Sequence, residues 1–302
     1  MHMASFQIAL GMFGLHDVFG GDARGYLTAA ELADAAGIDQ VNFTDHVVMG
    51  ENTDRYPYGP FPLPPIAPWY EPLTMLTAIA ARTRQIRLAT GVLISPLRPA
   101  VLLAKTLATL DSLAPGRIEL GIGTGWQREE YDASGLDFDK RWTMLDDGVR
   151  AMQLLWREAP ASFSSKTVNF SRIYSTPFPA AKSIPLWYGV QPTERQAQRI
   201  AELGVGWIPI STSADYIRDG GSVIRRAFEK AGRDPATLQV RAHVPMNWDA
   251  NGRCSLQESI DAIPSLLEAG VTVMEFEHHP YIRKPEDLEP FYARLVEVRD
   301  AS

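Results

Sequence analysis

The sequence predicts a closed (β/α)8 barrel, and three observations carry that prediction. Short apolar or β-branched runs alternate with longer segments of helical period from one end of the chain to the other. Eight runs of each kind can be marked in strict alternation, the count of a closed parallel barrel rather than of an open doubly wound sheet. No internal repeat, low-complexity tract or linker composition interrupts the 302 residues, so a single domain over 1–302 is expected.

Taken in order, the first predicted strand is Phe6 to Leu10, followed by a helix from Leu27 to Ala36 that Gly37 closes. Gln40 to Phe43 is the second strand, and Pro72 stands at the first turn of the helix ending at Thr83. Ile86 to Thr90 leads to a helix from Pro99 to Leu113, and Ile118 to Ile122 to one from Trp142 to Glu158. Leu186 to Tyr188 precedes Thr193 to Leu203 with Gly204 as its stop, and Gly206 to Ile210 precedes Ala214 to Ala231 with Gly232. Leu238 to Val244 is paired with one helix from Leu256 to Ala269, ended by Gly270, and Val271 to Phe276 with Pro285 to Arg299.

Two connections are too long to be turns. Asp45 to Glu71, rich in proline and aromatics, follows a strand and therefore lies over the C-terminal mouth, where barrels build their sites. Ser162 to Pro185, with an alternating pattern around Phe163 to Tyr174, precedes a strand and reaches the mouth only if it folds back.

Composition narrows the class of function. With 45% hydrophobic and 22% charged residues the chain buries a sizeable core. Twenty-nine basic against 36 acidic residues give a net charge of −7, and no basic run is present, which argues against a nucleic-acid partner. Cys254 is the single cysteine, excluding an internal disulfide and cysteine-rich metal sites. Met1 to Ser5 carries no leader pattern, and no apolar stretch is long enough to span a bilayer, so a cytoplasmic protein without a membrane partner is expected.

The residues just after each strand are the candidates for chemistry. After strand one, Gly11 to Asp17 is small and apolar, with Phe13 as a candidate wall for a ligand. After strand two stand Asp45 and His46. His46 can exchange a proton near neutral pH, with Asp45 setting its protonation or bonding a ligand; the alternative is a turn cap and a loop filler. Gly91 after strand three marks a bulge, a close approach to a ligand, or packing.

Strand four ends Gly121-Ile-Gly-Thr-Gly-Trp126. Its G-x-G-x-G spacing is not the G-x-G-x-x-G of a dinucleotide fold, and no helix is expected to follow at once. Alternate glycines instead strip one face of the strand end, leaving room for a flat ligand, while Glu129 and Glu130 anchor the loop. Gly189-Val190 and Ser211 precede helices, where free N–H groups take either a phosphate or an ordinary cap. Glu275, Glu277 and His279 share a face if strand geometry continues, as metal ligands or as a polar rim. Without a compact ligand motif no metal is expected. A Ser-His-Asp hydrolase is a weaker reading still, because no G-x-S-x-G elbow is present.

These segments together resemble the bacterial luciferase-like oxidoreductases, barrel enzymes that use reduced FMN or the deazaflavin coenzyme F420. The resemblance runs over nearly the whole chain. It is strongest from Ile86 to Val92, from Pro99 to Asp111, from Gly116 to Trp126 with Glu130, Tyr131 and Arg141, and at Phe43 to Val47. It implies a redox cofactor ring against Gly91 and Val92 across a cis peptide, with Asp45 and His46 beside its reactive face. Thr124 and Gly125 would lie at its polar edge, and its phosphate near Gly189, Val190 and Ser211.

Two departures bear on the phosphate: Val190 stands where the family often has a second glycine, and Val205 where it often has an acid. The stretch from Tyr56 to Leu73 is closer to the F420-dependent branch, which implies hydride transfer to or from a small or medium organic substrate, with Phe13, Trp69, Tyr70 and Trp126 forming the apolar pocket. FMN-dependent monooxygenation is the alternative reading, and a non-catalytic flavin-binding barrel a third. A homodimer is the family expectation.

Overall fold

The computed structural model describes residues 6–61, 63–250 and 254–302; Met1 to Ser5, read above for a leader, lie outside them. The elements run β1 (Gln7–Gly11), α1 (Leu15–Val18), α2 (Gly25–Ala36), β2 (Gln40–Phe43), α3 (Pro72–Arg82), β3 (Arg87–Thr90), β4 (Leu93–Ile94), α4 (Ala100–Leu113) and β5 (Ile118–Gly123). They continue with α5 (Arg128–Ala133), α6 (Arg141–Leu155), β6 (Ala161–Ser164), β7 (Asn169–Ile173), β8 (Leu186–Gly189), α7 (Glu194–Leu203), β9 (Gly206–Ile208) and α8 (Ala214–Lys230). The last are β10 (Gln239–His243), α9 (Leu256–Asp261), α10 (Ile263–Glu268), β11 (Val273–Glu277) and α11 (Leu288–Asp300).

All eight predicted strands are present and pair in parallel in the order β3, β2, β1, β11, β10, β9, β8, β5, and β3 pairs with β5 to close the ring. The β3 stave is broken by a cis peptide between Gly91 and Val92, after which β4 resumes pairing with β5 at Leu93 and Ile94. The main apolar core lies between the staves and the helices, where Ile8, Leu10, Val41, Leu88, Leu120, Met274 and Phe276 are buried.

The inward faces differ, because side chains alternate along each strand. Ala9, Trp187, Ile208 and Val273 form a small apolar cluster there. Apart from Ala89, the remaining inward positions are glycine or polar, among them Gln7, Gln40, Asn42, Arg87, Glu119, Arg241, His243, Glu275 and Glu277.

Several boundaries differ from the sequence reading for identifiable reasons. The helix expected from Leu256 to Ala269 is two, α9 and α10, because Pro264 in the first turn of α10 has no N–H for Ile260 and its ring crowds that carbonyl. Pro99 caps α4 rather than entering it. Gly204 is extended, not left-handed; a side chain there would press on the ring of Tyr188. A short helix, α5, follows β5 where none was expected.

The second long connection forms the antiparallel hairpin β6–β7 and stays on the outside. Thr167 bonds Asp147 on α6, and the Ala180 N–H donates to Asp111 on α4. Among the described residues no helix is long and apolar enough to cross a membrane.

Candidate active site

A cavity of about 770 Å3 opens at the C-terminal ends of the staves. Its lining brings together Asp45, His46, Trp69, Gly91, Val92, Thr124, Gly125, Trp126, Gly189 and Val190, ten of the thirteen residues singled out from the sequence. The connection after β2 covers it with Tyr56, Tyr58 and Phe61, and α6 and α7 contribute Arg141, Trp142 and Gln196.

His46 is held by a buried carboxylate. Its Nδ1 lies 3.1 Å from Oε2 of Glu130, a fully buried carboxylate on α5 whose other oxygen accepts the Val47 N–H at 2.8 Å. The ring meets Trp69 edge-on at 4.6 Å between centroids, with Phe61 and Trp126 at 6.1 Å. A carboxylate on Nδ1 selects the tautomer that carries its proton there, so a neutral His46 presents Nε2 as an acceptor with no hydrogen-bond partner among the described residues. Both acids expected to anchor the loop do so, Glu130 through Val47 and Glu129 through the Asn52 amide.

Asp45 lines the cavity beside His46, but its carboxylate is already engaged. Its Oδ2 accepts from the Ile94 N–H at 2.9 Å and from Arg98 at 2.6 Å, and its Oδ1 from Arg98 at 3.0 Å. With both oxygens committed in a buried ion pair, Asp45 ties the β2 connection to β4. Arg98 carries the tie on to Glu71, which caps α3 by accepting the Thr74 N–H.

Three substrate or cofactor candidates fall outside the cavity lining. Tyr70 packs against Tyr26 at 5.2 Å, facing the outer core. Phe13 stands behind Trp69, with ring centroids 4.8 Å apart. Ser211 accepts the Ser213 N–H, a local turn bond, while Ile208, Pro209 and Ile210 supply that wall.

The glycines act by a mechanism other than the one inferred from their alternation. A Cβ on Gly121 would overlap the Thr90 carbonyl, so that glycine serves barrel packing. A Cβ on Gly123 would lie 2.9 Å from Cγ2 of Val92, and one on Gly189 2.6 Å from its Cγ1. The bare strand ends therefore admit the Val92 side chain, which forms part of the cavity floor.

Polar groups at the far wall remain open. The Arg141 guanidinium stacks on Phe138 at 3.9 Å and gives one bond to the Phe138 carbonyl, but its buried Nε has no partner. Arg141, Gln191, Thr193 and Gln196 share this cavity with the start of α7, a donor-rich set suited to an anionic tail.

The sequence reading missed the remaining wall. His243, at the end of β10, lines the cavity, with Nε2 3.4 Å from Glu275 and Nδ1 3.5 Å from Glu277. The trio expected on one face included His279, which instead lies against Trp248, with ring centroids 5.6 Å apart. The chain turns after Glu277, and His243 from the neighbouring stave takes that place. The signal was available: β10 reads Gln-Val-Arg-Ala-His, with polar residues on one face throughout.

Residues 8–284 match the family described as luciferase-like monooxygenase, and the chain belongs to that family. An uncharacterised protein of Mycobacterium tuberculosis (strain ATCC 25618 / H37Rv) is 34% identical over 164 residues, 54% of this chain and 58% of the relative; the chain thus spans little more than half of that relative's length. An F420-dependent glucose-6-phosphate dehydrogenase of Nakamurella multipartita is 29% identical over 76% of this chain and 67% of its own.

Two solved structures share the fold. One is an F420-dependent secondary alcohol dehydrogenase with an F420-acetone adduct, with a TM-score of 0.77, 16% identity and coverage of 98% of this chain and 99% of the other. The second is the oxygenating constituent of a Pseudomonas putida diketocamphane monooxygenase in complex with FMN, with a TM-score of 0.74, 17% identity and 98% of each chain covered.

Proposed function

We propose that this luciferase-like barrel is an F420-dependent oxidoreductase that moves a hydride to or from a small or medium organic substrate. The observation that carries the reading is His46, fixed through Nδ1 by buried Glu130 and turned edge-on into an aromatic cavity, with Nε2 unpartnered among the described residues. An imidazole held in one orientation is suited to taking a proton from, or returning it to, a substrate oxygen or nitrogen. The 29% identity to an F420-dependent dehydrogenase over 76% of the chain supports an F420-dependent reading.

The residues present fit such a group. Val92 offers an apolar floor, Thr124 and Gly125 flank it, and the unpartnered Arg141 Nε with Gln191, Thr193 and Gln196 suits the anionic tail. Bound there, the deazaflavin would supply the electron chemistry at its central ring carbon. The protein's share is positioning and proton handling: Trp69, Phe61 and Trp126 exclude water, and His46 holds the proton at Nε2.

Separate titrations of the purified protein with F420 and FMN, followed by ligand fluorescence and thermal shift, test the reading. Selective F420 binding supports it; selective FMN binding with substrate-coupled oxygen uptake replaces it by monooxygenation. Tight binding with no turnover on a broad substrate panel would leave a non-catalytic flavin barrel. Once a substrate is found, His46→Ala is expected to lower kcat by about 100-fold or more, and unchanged turnover removes His46 from the mechanism.

A further inference from the structure

A buried charged column runs along the inside of the barrel and ends in the cavity. Arg87 donates to Gln7 at 2.5 Å and to Glu119 at 2.6 Å, and Glu119 accepts from the Gln40 amide at 2.6 Å. Arg241 donates to the Gln40 carbonyl oxygen at 2.8 Å and lies 3.1 Å from Glu275 as an ion pair. Glu275 and Glu277 then face the two ring nitrogens of His243; Arg241, Glu275 and Glu119 are buried, whereas Arg87, Glu277 and His243 are partly exposed at the two ends.

Charge counting limits the state of this column. It holds two guanidinium groups, Arg87 and Arg241, against three carboxylates, Glu119, Glu275 and Glu277. Arg87 and Arg241 balance Glu119 and Glu275, leaving Glu277 and His243. One proton shared by that pair brings the column to neutrality, which a low-dielectric interior favours.

Burial pushes the Glu277 carboxyl up to about 7, against the pull of His243 and with the push of Glu275. The site is also sterically made for the acid, because a Cβ on Gly11 would overlap the Glu277 carboxyl group. Around the ring β10 lies three staves from β2, so this wall is remote from the one that carries His46.

We propose that His243 and Glu277 form a second acid–base site of the cavity, sharing one proton and serving an uncharged hydroxyl, carbonyl or amide of a bound reactant. An anionic group is disfavoured at this wall by the two carboxylates. The proton moves between the His243 ring and the Glu277 carboxyl or passes to the reactant's heteroatom, with no electrons transferred. Its use in turnover rests on the redox reading above; the shared proton does not.

The test uses the full chain, 15N-labelled at histidine, without added cofactor, and follows the imidazole signals from pH 4.5 to 9. His243 is assigned by the signal lost in His243→Asn. The groups facing the pair are Arg241 on β10, Glu275 on β11 and Tyr281 beyond it. In Glu277→Gln the His243 midpoint is expected to fall by about one pH unit, because the protonated ring loses its counter-charge.

An unchanged midpoint overturns the proposal, and so does stoichiometric perturbation of the His243 signals by Zn2+ or Mn2+, which would make the cluster a cation site. Should Glu277→Gln not fold, the 13C carboxyl shift of Glu277 is read in wild type against His243→Asn. A rise in its midpoint supports the pair, and no change overturns it. A coupled pair in a protein that binds neither F420 nor FMN would sink the redox reading alone.

Discussion

The two walls of the cavity are built on opposite plans. The β2 wall is aromatic: His46, Phe61, Trp69 and Trp126 touch ring to ring, and the charges behind them, Asp45 and Glu130, are consumed in holding the loop. The β10–β11 side is ionic: His243 lines the cavity, and Arg241, Glu275 and Glu277 back it on the same two staves, where the backbone is already fixed by parallel pairing. A long connection needs its ion pairs to acquire a shape. A stave end, shaped by the sheet, leaves its ionisable groups free for chemistry.

The comparison is broken most severely by removing a charge from the ionic wall. Arg241→Met leaves Glu275 buried without its cation, and roughly 3–5 kcal/mol of stability should be lost. Urea unfolding checks it; a loss under 1 kcal/mol would mean that Glu275 takes up a proton and the column is not ionic.

A smaller effect is expected from Glu130→Gln, which keeps an acceptor for the Val47 N–H but weakens the grip on His46. About 1–2 kcal/mol should be lost. Cofactor binding should persist while kcat falls, and equal loss of both would place Glu130 in binding instead.

The pH dependence of melting separates two neighbours on the ionic side. Glu277, raised above its unfolded value, stabilises when protonated; that contribution is full below about 4.5 and lost as pH rises towards about 7. His278 is held at about 4, chiefly by burial. Its Nδ1–H donates to the Gly11 carbonyl and its Nε2 accepts from the Tyr292 hydroxyl. Its contribution is present above 6.5 and lost as pH falls towards 4. The two slopes oppose each other in wild type, so Glu277→Gln should make melting temperature rise more steeply from pH 4.5 to 6.5. A flatter profile in the variant would contradict that sign.

The smallest effect is reserved for Tyr70→Phe. Tyr70 faces Tyr26 rather than the cavity, so ligand affinity should stay within about twofold and stability within about 0.5 kcal/mol. A large loss of affinity would return Tyr70 to the site.

The eight staves were legible because hydrophobic period is a local property, readable within a window of a few residues. The split between α9 and α10 was equally local, written in Pro264, and was passed over for the longer pattern. Asp45 and His46 were legible as a pair at a stave end, but their division of labour was not. Arg98, which occupies Asp45, is 53 residues away, and Glu130, which orients His46, is 84. The polar alternation in Gln-Val-Arg-Ala-His and Val-Met-Glu-Phe-Glu was also in plain view. It identifies inward faces, yet nothing in either strand states which residues from other staves will meet them.

By itself, then, the amino-acid sequence determined a luciferase-like barrel with a candidate imidazole at the end of its second stave. Periodicity and local motifs specify elements and their ends. Tertiary structure decided that Asp45 is a tie and that Val92 fills the space left by two glycines. It also decided that Arg241 reaches Gln40 across 201 residues of chain to complete a charged column. The reason is that burial and counter-charge assign an ionisable side chain its role, and both come from residues distant in sequence that only closure of the barrel brings within reach.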